Sequence, residues 1–370
     1  MPAALVLVAG TACGGQVTAR AAPATPAVQP VRAVELRAPW PERRIVPERG
    51  YAVGQVFDPA AGVLYALVQG TPARAGGPWV LQATNVRTGA VRQGGSYPVT
   101  GLSLASGYLW VDGWPAAGTP PVLREVSPGT LRTVRSVSIP GAYWATVVAA
   151  GPAGSVWAGS GRTLLRVSAG RGTVLARAVL PAGLGVDELA VSPDGADRYV
   201  AAAHVVAGGA EEGAVVLEYS ARTGDLLAEA DRTPISYSVA GAELTALPGG
   251  VWVSFRTGSL GVSVLLSERA LATVIAPGPA VSTASVYRWP MSSSSVYGGG
   301  ALWVTTQTGL VACVNPATGR VRAAETVTST AAQLGGLLAA DGAARHVFGL
   351  ALNDGYGGLV AITPPRGCWG

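Results

Sequence analysis

Two short stretches of this 370-residue chain carry the residue types most capable of chemistry: Asp187-Glu188-Leu189-Ala190 and Glu243-Leu244-Thr245. Both read as the start of an apolar strand, at matching points of neighbouring repeats. Carboxylates brought together across two strands have two uses. Asp187, Glu188 and Glu243 offer hard oxygen ligands that suit a divalent cation such as calcium or magnesium. Without a metal, burial and mutual repulsion pull their pKa values apart, so that one serves as acid and the other as base. The plainer reading makes all three solvated acids at the mouth of a channel, and no cofactor is expected beyond that one possible ion.

A second set is aromatic: Ala142-Tyr143-Trp144, Pro234-Ile235-Ser236-Tyr237 and Val286-Tyr287-Arg288-Trp289-Pro290-Met291, the last followed by a serine run. Large aromatics beside an arginine in connecting segments have the composition of a binding interface. Tyr143, Trp144, Tyr237, Tyr287, Arg288 and Trp289 are therefore the residues expected to meet a ligand or partner; the alternative is that they only cap the repeats. Catalytic signatures are sparse. The two histidines, His204 in an apolar run and His346 in a degenerate repeat, have no neighbouring glutamate or second histidine and read as structural. No Gly-x-Ser-x-Gly, phosphate loop or Cys/His metal spacing occurs.

What must position these residues is a repeat. Leu189-Ala-Val-Ser-Pro-Asp194-Gly195-Ala-Asp-Arg-Tyr199-Val200 reads as a strand, a tight turn and a second strand, with Pro, Asp and Gly supplying the turn chemistry. A Gly-x-(Leu/Val)-aromatic tag follows such turns at Gly62–Tyr65, Gly107–Trp110, Gly154–Trp157, Gly249–Trp252 and Gly300–Trp303. Looser forms occur at Tyr199 and at Phe348. The tags recur roughly every 42 to 53 residues, close to the period of four-stranded propeller blades. About twenty residues after each tag comes a polar turn, as in Asn85-Val-Arg-Thr-Gly89 and Val314-Asn-Pro-Ala-Thr-Gly319. Two turns per period mean four strands per period, and about seven periods fill the chain. The expected fold is all-β, a seven-bladed β-propeller with four-stranded blades whose repeated tryptophans pack blade on blade. The last repeat stops at Pro364-Pro-Arg-Gly-Cys-Trp369 without a fourth strand. A segment within Val34–Val46 is expected to supply it and close the ring, which would otherwise leave an exposed edge.

Composition agrees. Gly (51) and Pro (27) are abundant and only 13% of residues are charged, which suits short strands and tight turns. All the basic residues are arginine, as in proteins of GC-rich bacteria. The net charge of +5 gathers partly at Arg20, Arg32, Arg37, Arg43, Arg44 and Arg49, while the repeats mix both signs, so nucleic-acid binding is not expected.

The N-terminus has its own logic. Residues 3–12 form an apolar run too short to span a bilayer, ending in small residues before Cys13. The run resembles a bacterial lipoprotein signal, which implies lipidation of Cys13 and an extracytoplasmic, membrane-anchored protein. Residues 1–15 are then the signal, 16–47 a Pro/Ala-rich tether that includes the closing strand, and 48–370 the propeller. Cys313 and Cys368, an even pair in an oxidising compartment, are expected to form a disulfide.

The Ser-Pro-Asp-Gly hairpin at 192–195 resembles YVTN-type bacterial propellers, and Gly300-Ala-Leu-Trp303 with Pro316-Ala-Thr-Gly319 is similar to streptogramin-lyase-like and quinoprotein-like repeats. The resemblance implies a seven-bladed ring over residues 50–365 and leaves activity open, since this fold hosts many functions. The expected role is a non-catalytic, extracytoplasmic module binding an envelope protein or small ligand, monomeric, touching the membrane only through its lipid. The alternative is a metal-dependent lactonase or streptogramin-lyase-like enzyme using Glu188 and Glu243.

Overall fold

A computed structural model describes residues 42–47, 52–69, 79–97, 99–113, 122–139, 147–151, 154–192, 198–207, 210–231, 241–257, 260–267, 273–275, 292–306, 310–326, 333–353 and 356–369. These residues form seven four-stranded antiparallel sheets. Each begins with an innermost strand that lies against the innermost strands of the sheets on either side, and Ala52–Asp58 of the first meets Gln333–Asp341 of the last. The ring is therefore closed.

The expected count of seven blades is corrected to six built from consecutive strands. Six blades are each built from four consecutive strands: I over 52–97, II over 99–138, III over 147–179, IV over 184–231, V over 241–275 and VI over 292–326. The remaining sheet is composite. Gln333–Asp341, His346–Asn353 and Tyr356–Ile362 come from the end of the chain, and Glu42–Pro47 adds the outer strand. The cause lies after Ile362, where Pro364 and Pro365 lack the N–H groups a further ladder strand needs. Within the stretch expected to close the ring, the described pairing starts at Glu42, opposite Ile362. Pro193–Asp197 of the Ser-Pro-Asp-Gly hairpin lie outside the described residues.

The polar turns join the third strand of a blade to its outer fourth. Their sequence explains them. Asn85 Oδ1 accepts hydrogen bonds from the Arg87 and Thr88 N–H groups at 3.0 and 2.9 Å. Gly89 then takes φ +71, a left-handed conformation that a Cβ would strain. Asn315 repeats the device towards Ala317, at 2.9 Å.

The tag aromatics fill the seams between sheets. Tyr65 packs with Leu109, Val111 and Val126 of blade II. Trp110 packs with Val156, Ala158 and Val167 of blade III, and Trp157 with Leu189, Leu217 and Tyr219 of blade IV. Trp252 meets Leu302 and Val304, Trp303 meets Val347 and Val360, and Phe348 meets Phe57 and Leu64 across the closing seam. Each buried tryptophan removes on the order of 200 Å² from water, roughly 5 kcal/mol of gross burial free energy. The outer strands protect their own edges. Val134, Leu175 and Leu227 are the extra residues of β-bulges, which bend a strand away from pairing with a neighbour.

Candidate functional site

Glu188 lies in the middle of the innermost strand of blade IV, Leu184–Val191, rather than at its start. The pairing shifts between Val186 and Glu188, so Asp187 is the extra residue of a β-bulge. Glu243 lies on the innermost strand of blade V, Gly241–Leu247, opposite Ser254. These two strands are neighbours in the ring, and Glu243 and Asp187 each come within electrostatic reach of Glu188. Burial is the main cause that lifts the Glu188 carboxyl to about 7. The Leu189 N–H it accepts works against that rise, and the charges of Glu243 and Asp187 add to it.

The two glutamates do not share one task. Glu188 Oε1 accepts from the N–H of its own neighbour Leu189 at 3.2 Å. Glu243 reaches across the seam to blade VI, where its Oε1 accepts from the Ser295 N–H and, at 3.4 Å, from the Ser295 hydroxyl. Thr245 and Ser295 hydroxyls meet at 2.6 Å beside it. At the next seam the Ser294 hydroxyl donates to the Leu337 carbonyl at 3.0 Å and accepts from the Leu337 N–H at 2.9 Å. The serine run counted in the sequence with the mouth segments is thus the innermost strand of blade VI, Ser292–Gly298, and two of its hydroxyls stitch three sheets together. Among the described residues no group of three or more His, Cys, Asp or Glu side chains is placed to hold a metal ion.

Other buried polar groups also serve the seams. Opposite Trp110 on the adjacent strand stands Glu125, fully buried, whose Oε1 accepts from the Gly170 N–H of blade III at 2.6 Å. Opposite Trp157 stands Arg166, whose guanidinium donates to the Arg222 carbonyl of blade IV at 3.3 Å. Opposite Trp303 stands Cys313, bonded to Cys368 with Cα atoms 5.8 Å apart. Trp369 then packs against Trp303, the rings tilted by 46° with centroids 4.7 Å apart. Sequence reasoning paired the cysteines but found no role for Glu125 or Arg166; the signal was their shared spacing, two residues before the Ser or Asn that opens the third-to-fourth turn.

His346 has its Nδ1 2.6 Å from the Ala344 carbonyl, beside Phe348. His204 is on the second strand of blade IV, opposite Gly185. Tyr143, Trp144, Tyr237, Tyr287, Arg288, Trp289 and Cys13 lie outside the described residues.

No protein family's sequence profile and no curated protein matches this chain. Among solved structures it is similar to BamB from Moraxella catarrhalis, with 13% identity and a TM-score of 0.53 over 87% of this chain and 97% of that one. At that identity the likeness shows a propeller fold and nothing finer. It corrects the resemblance to YVTN, streptogramin-lyase-like and quinoprotein-like repeats, to none of which the chain can be assigned. The physical reason is that Ser-Pro-Asp-Gly and Pro-Ala-Thr-Gly record what a tight antiparallel turn requires, and any propeller with such turns converges on them.

Proposed function

We propose that this chain is a non-catalytic binding module held outside the cytoplasm, lipidated at Cys13 and tethered through the residues that follow. The observation that carries the reading is the engagement of Glu243 with Ser295, which places the one strongly positioned carboxylate of the candidate pair in the architecture of a seam. Glu243 Oε1 is engaged by the neighbouring blade rather than offered to a substrate. The Cys313–Cys368 bridge supports an oxidising compartment. Binding is assigned to the mouth formed by the linking segments, with Tyr143, Trp144, Tyr237, Tyr287, Arg288 and Trp289 as contact residues and an envelope protein or small ligand as partner.

The test is site-specific photo-crosslinking in cells that export the protein. A benzophenone side chain at Tyr143, Tyr237 or Trp289 should yield discrete adducts, and Arg288→Ala should weaken them. The same probe at Gln93, exposed on the outer strand of blade I, should yield none. Adducts from Gln93 alone would overturn the assignment. Cys13→Ser should abolish incorporation of labelled palmitate.

A further inference from the structure

We propose that the polar-turn face of the ring, opposite the mouth, rests on an anionic phospholipid surface. In every sheet the first-to-second and third-to-fourth connections lie at the same end, as antiparallel order requires. Turn-to-turn hydrogen bonds such as Val86 N–H to Gly62 O at 3.0 Å and Ala169 N–H to Gly154 O at 2.9 Å hold them level. Ring repetition then spreads equivalent turns over one flat face.

That face is basic at nearly every blade. Arg87, Arg132, Arg171, Arg222 and Arg320 stand one to a turn, and Arg366 stands in the C-terminal turn that occupies the same place on the closing sheet; all are exposed. Three acids accompany the described turns, and each is engaged locally: Asp225 accepts a 2.6 Å bond from the Thr223 hydroxyl, while Asp58 and Asp341 each accept from two N–H groups of their own turn.

Exposed apolar residues follow Arg87, Arg132, Arg171 and Arg222 within two to five positions of the chain. The outer strands start where these turns end, and their first two positions include Val91, Val134, Val174-Leu175 and Leu226-Leu227. These are exposed large hydrophobic residues, Val91 and Val174 to 52%. Arginine beside an aliphatic side chain, repeated around a plane, matches the chemistry of a headgroup layer: anions at the surface, hydrocarbon just beneath. The exposed apolar residues are aliphatic, whereas single-stranded nucleic acid would ask for stacking aromatics. An acidic protein would ask for one localised basic patch rather than charge distributed evenly around a ring.

The test uses the full chain carrying Cys13→Ser, so that no acyl chain contributes. Co-sedimentation with vesicles of phosphatidylcholine containing phosphatidylglycerol should be strong at low salt and lost at high salt, with none on phosphatidylcholine alone. Each arginine near the surface is expected to change the partition coefficient roughly fivefold, so Arg87→Gln, Arg171→Gln and Arg320→Gln together should lower it about a hundredfold with the melting temperature unchanged. Leu175→Ser with Leu227→Ser should weaken binding at the same low salt, with every arginine in place. Equal binding to neutral vesicles, no loss in the triple variant, or retention on a polyglutamate resin without any vesicle binding would overturn the proposal. The last of these would point to an acidic protein instead. Crosslinking at the mouth is read separately, so either assignment can fail without the other.

Discussion

Glu125 and Cys313 stand at the same point of their blades, each directly across the sheet from its seam tryptophan, Trp110 or Trp303. From that point Glu125 reaches the turn of the next blade through a hydrogen bond to Gly170, and Cys313 reaches the C-terminal turn through a covalent bond to Cys368. One architectural position, on the third strand and facing the next sheet's turn, is thus filled by whichever bond the seam can form. Burial raises the Glu125 carboxyl above its ordinary range, and the Gly170 N–H and the Arg135 charge oppose that rise.

Removing the acceptor should separate these effects. Glu125→Ala leaves the Gly170 N–H without its partner in a dry seam, a loss of about 1–3 kcal/mol. Glu125→Gln keeps an oxygen in place and sheds the cost of a buried charge, so it should stay within about 1 kcal/mol of the parent. Urea denaturation of the two variants measures the difference. Equal losses would mean that the charge, and not the hydrogen bond, holds this seam.

The covalent version should be stronger. The bridge closes a sequence separation of 55 residues, for which loop-closure entropy of the unfolded chain gives about 4 kcal/mol as an upper figure. Cys313→Ser with Cys368→Ser should lower stability by about 2–4 kcal/mol. It should also loosen Trp369 from Trp303, which near-ultraviolet circular dichroism of the two packed indoles will register. A melt unchanged by both substitutions would show that the packing of Trp369 and Ile362 suffices.

Close approach of backbones makes a third test. A Cβ on Gly94 would overlap the side chain and carbonyl of Leu131 on blade II, where the Gly95 N–H already donates to the Leu131 carbonyl at 3.3 Å. Neither partner is the end of a flexible side chain, so Gly94→Ala should cost about 1–3 kcal/mol. Gly367→Ala, with nothing near the added methyl and no left-handed φ, is the matched control and should be near neutral. Differential scanning calorimetry of the pair decides it.

How much of this was readable before the coordinates depends on where each instruction is written. The third-to-fourth turns were legible because Asn85, Thr88 and Gly89 act on their own backbone within five residues. The seam aromatics were legible because a fixed spacing repeats them. The functions of the acids were not. Glu243 looked like a partner for Glu188 when counted from the tags, but its bond goes to Ser295 on the following blade, and that choice depends on how two sheets meet. Asp187 hid a bulge that shifts the register by one residue, a detail set by twist and packing rather than by residue type. The serines of Ser292–Gly298 resembled a loop because serine favours turns, yet at a seam their hydroxyls replace missing ladder partners. The exposed arginines were visible singly, but their common face emerges only once antiparallel order puts every third-to-fourth turn at one end.

Glu188 supplies the pH signature. Its carboxyl titrates near 7 in the fold against 4.5 when solvated. An acid whose pKa rises on folding holds its proton more tightly in the native state, so the native state binds more protons between those two values. Stability from this residue is therefore fully present below pH 4.5 and declines as pH rises to about 7. The full shift corresponds to a loss of up to about 3 kcal/mol. Glu188→Gln cannot ionise, so its unfolding midpoint in urea should match the parent at the acid end and exceed it at neutral pH and above. Glu243→Gln removes one of the charges that push Glu188 upward and should narrow the window, at the cost of the Ser295 bond. A parent and a Glu188→Gln variant whose midpoints run parallel across the whole range would show that Glu188 is solvated, and would remove the electrostatic link between blades IV and V.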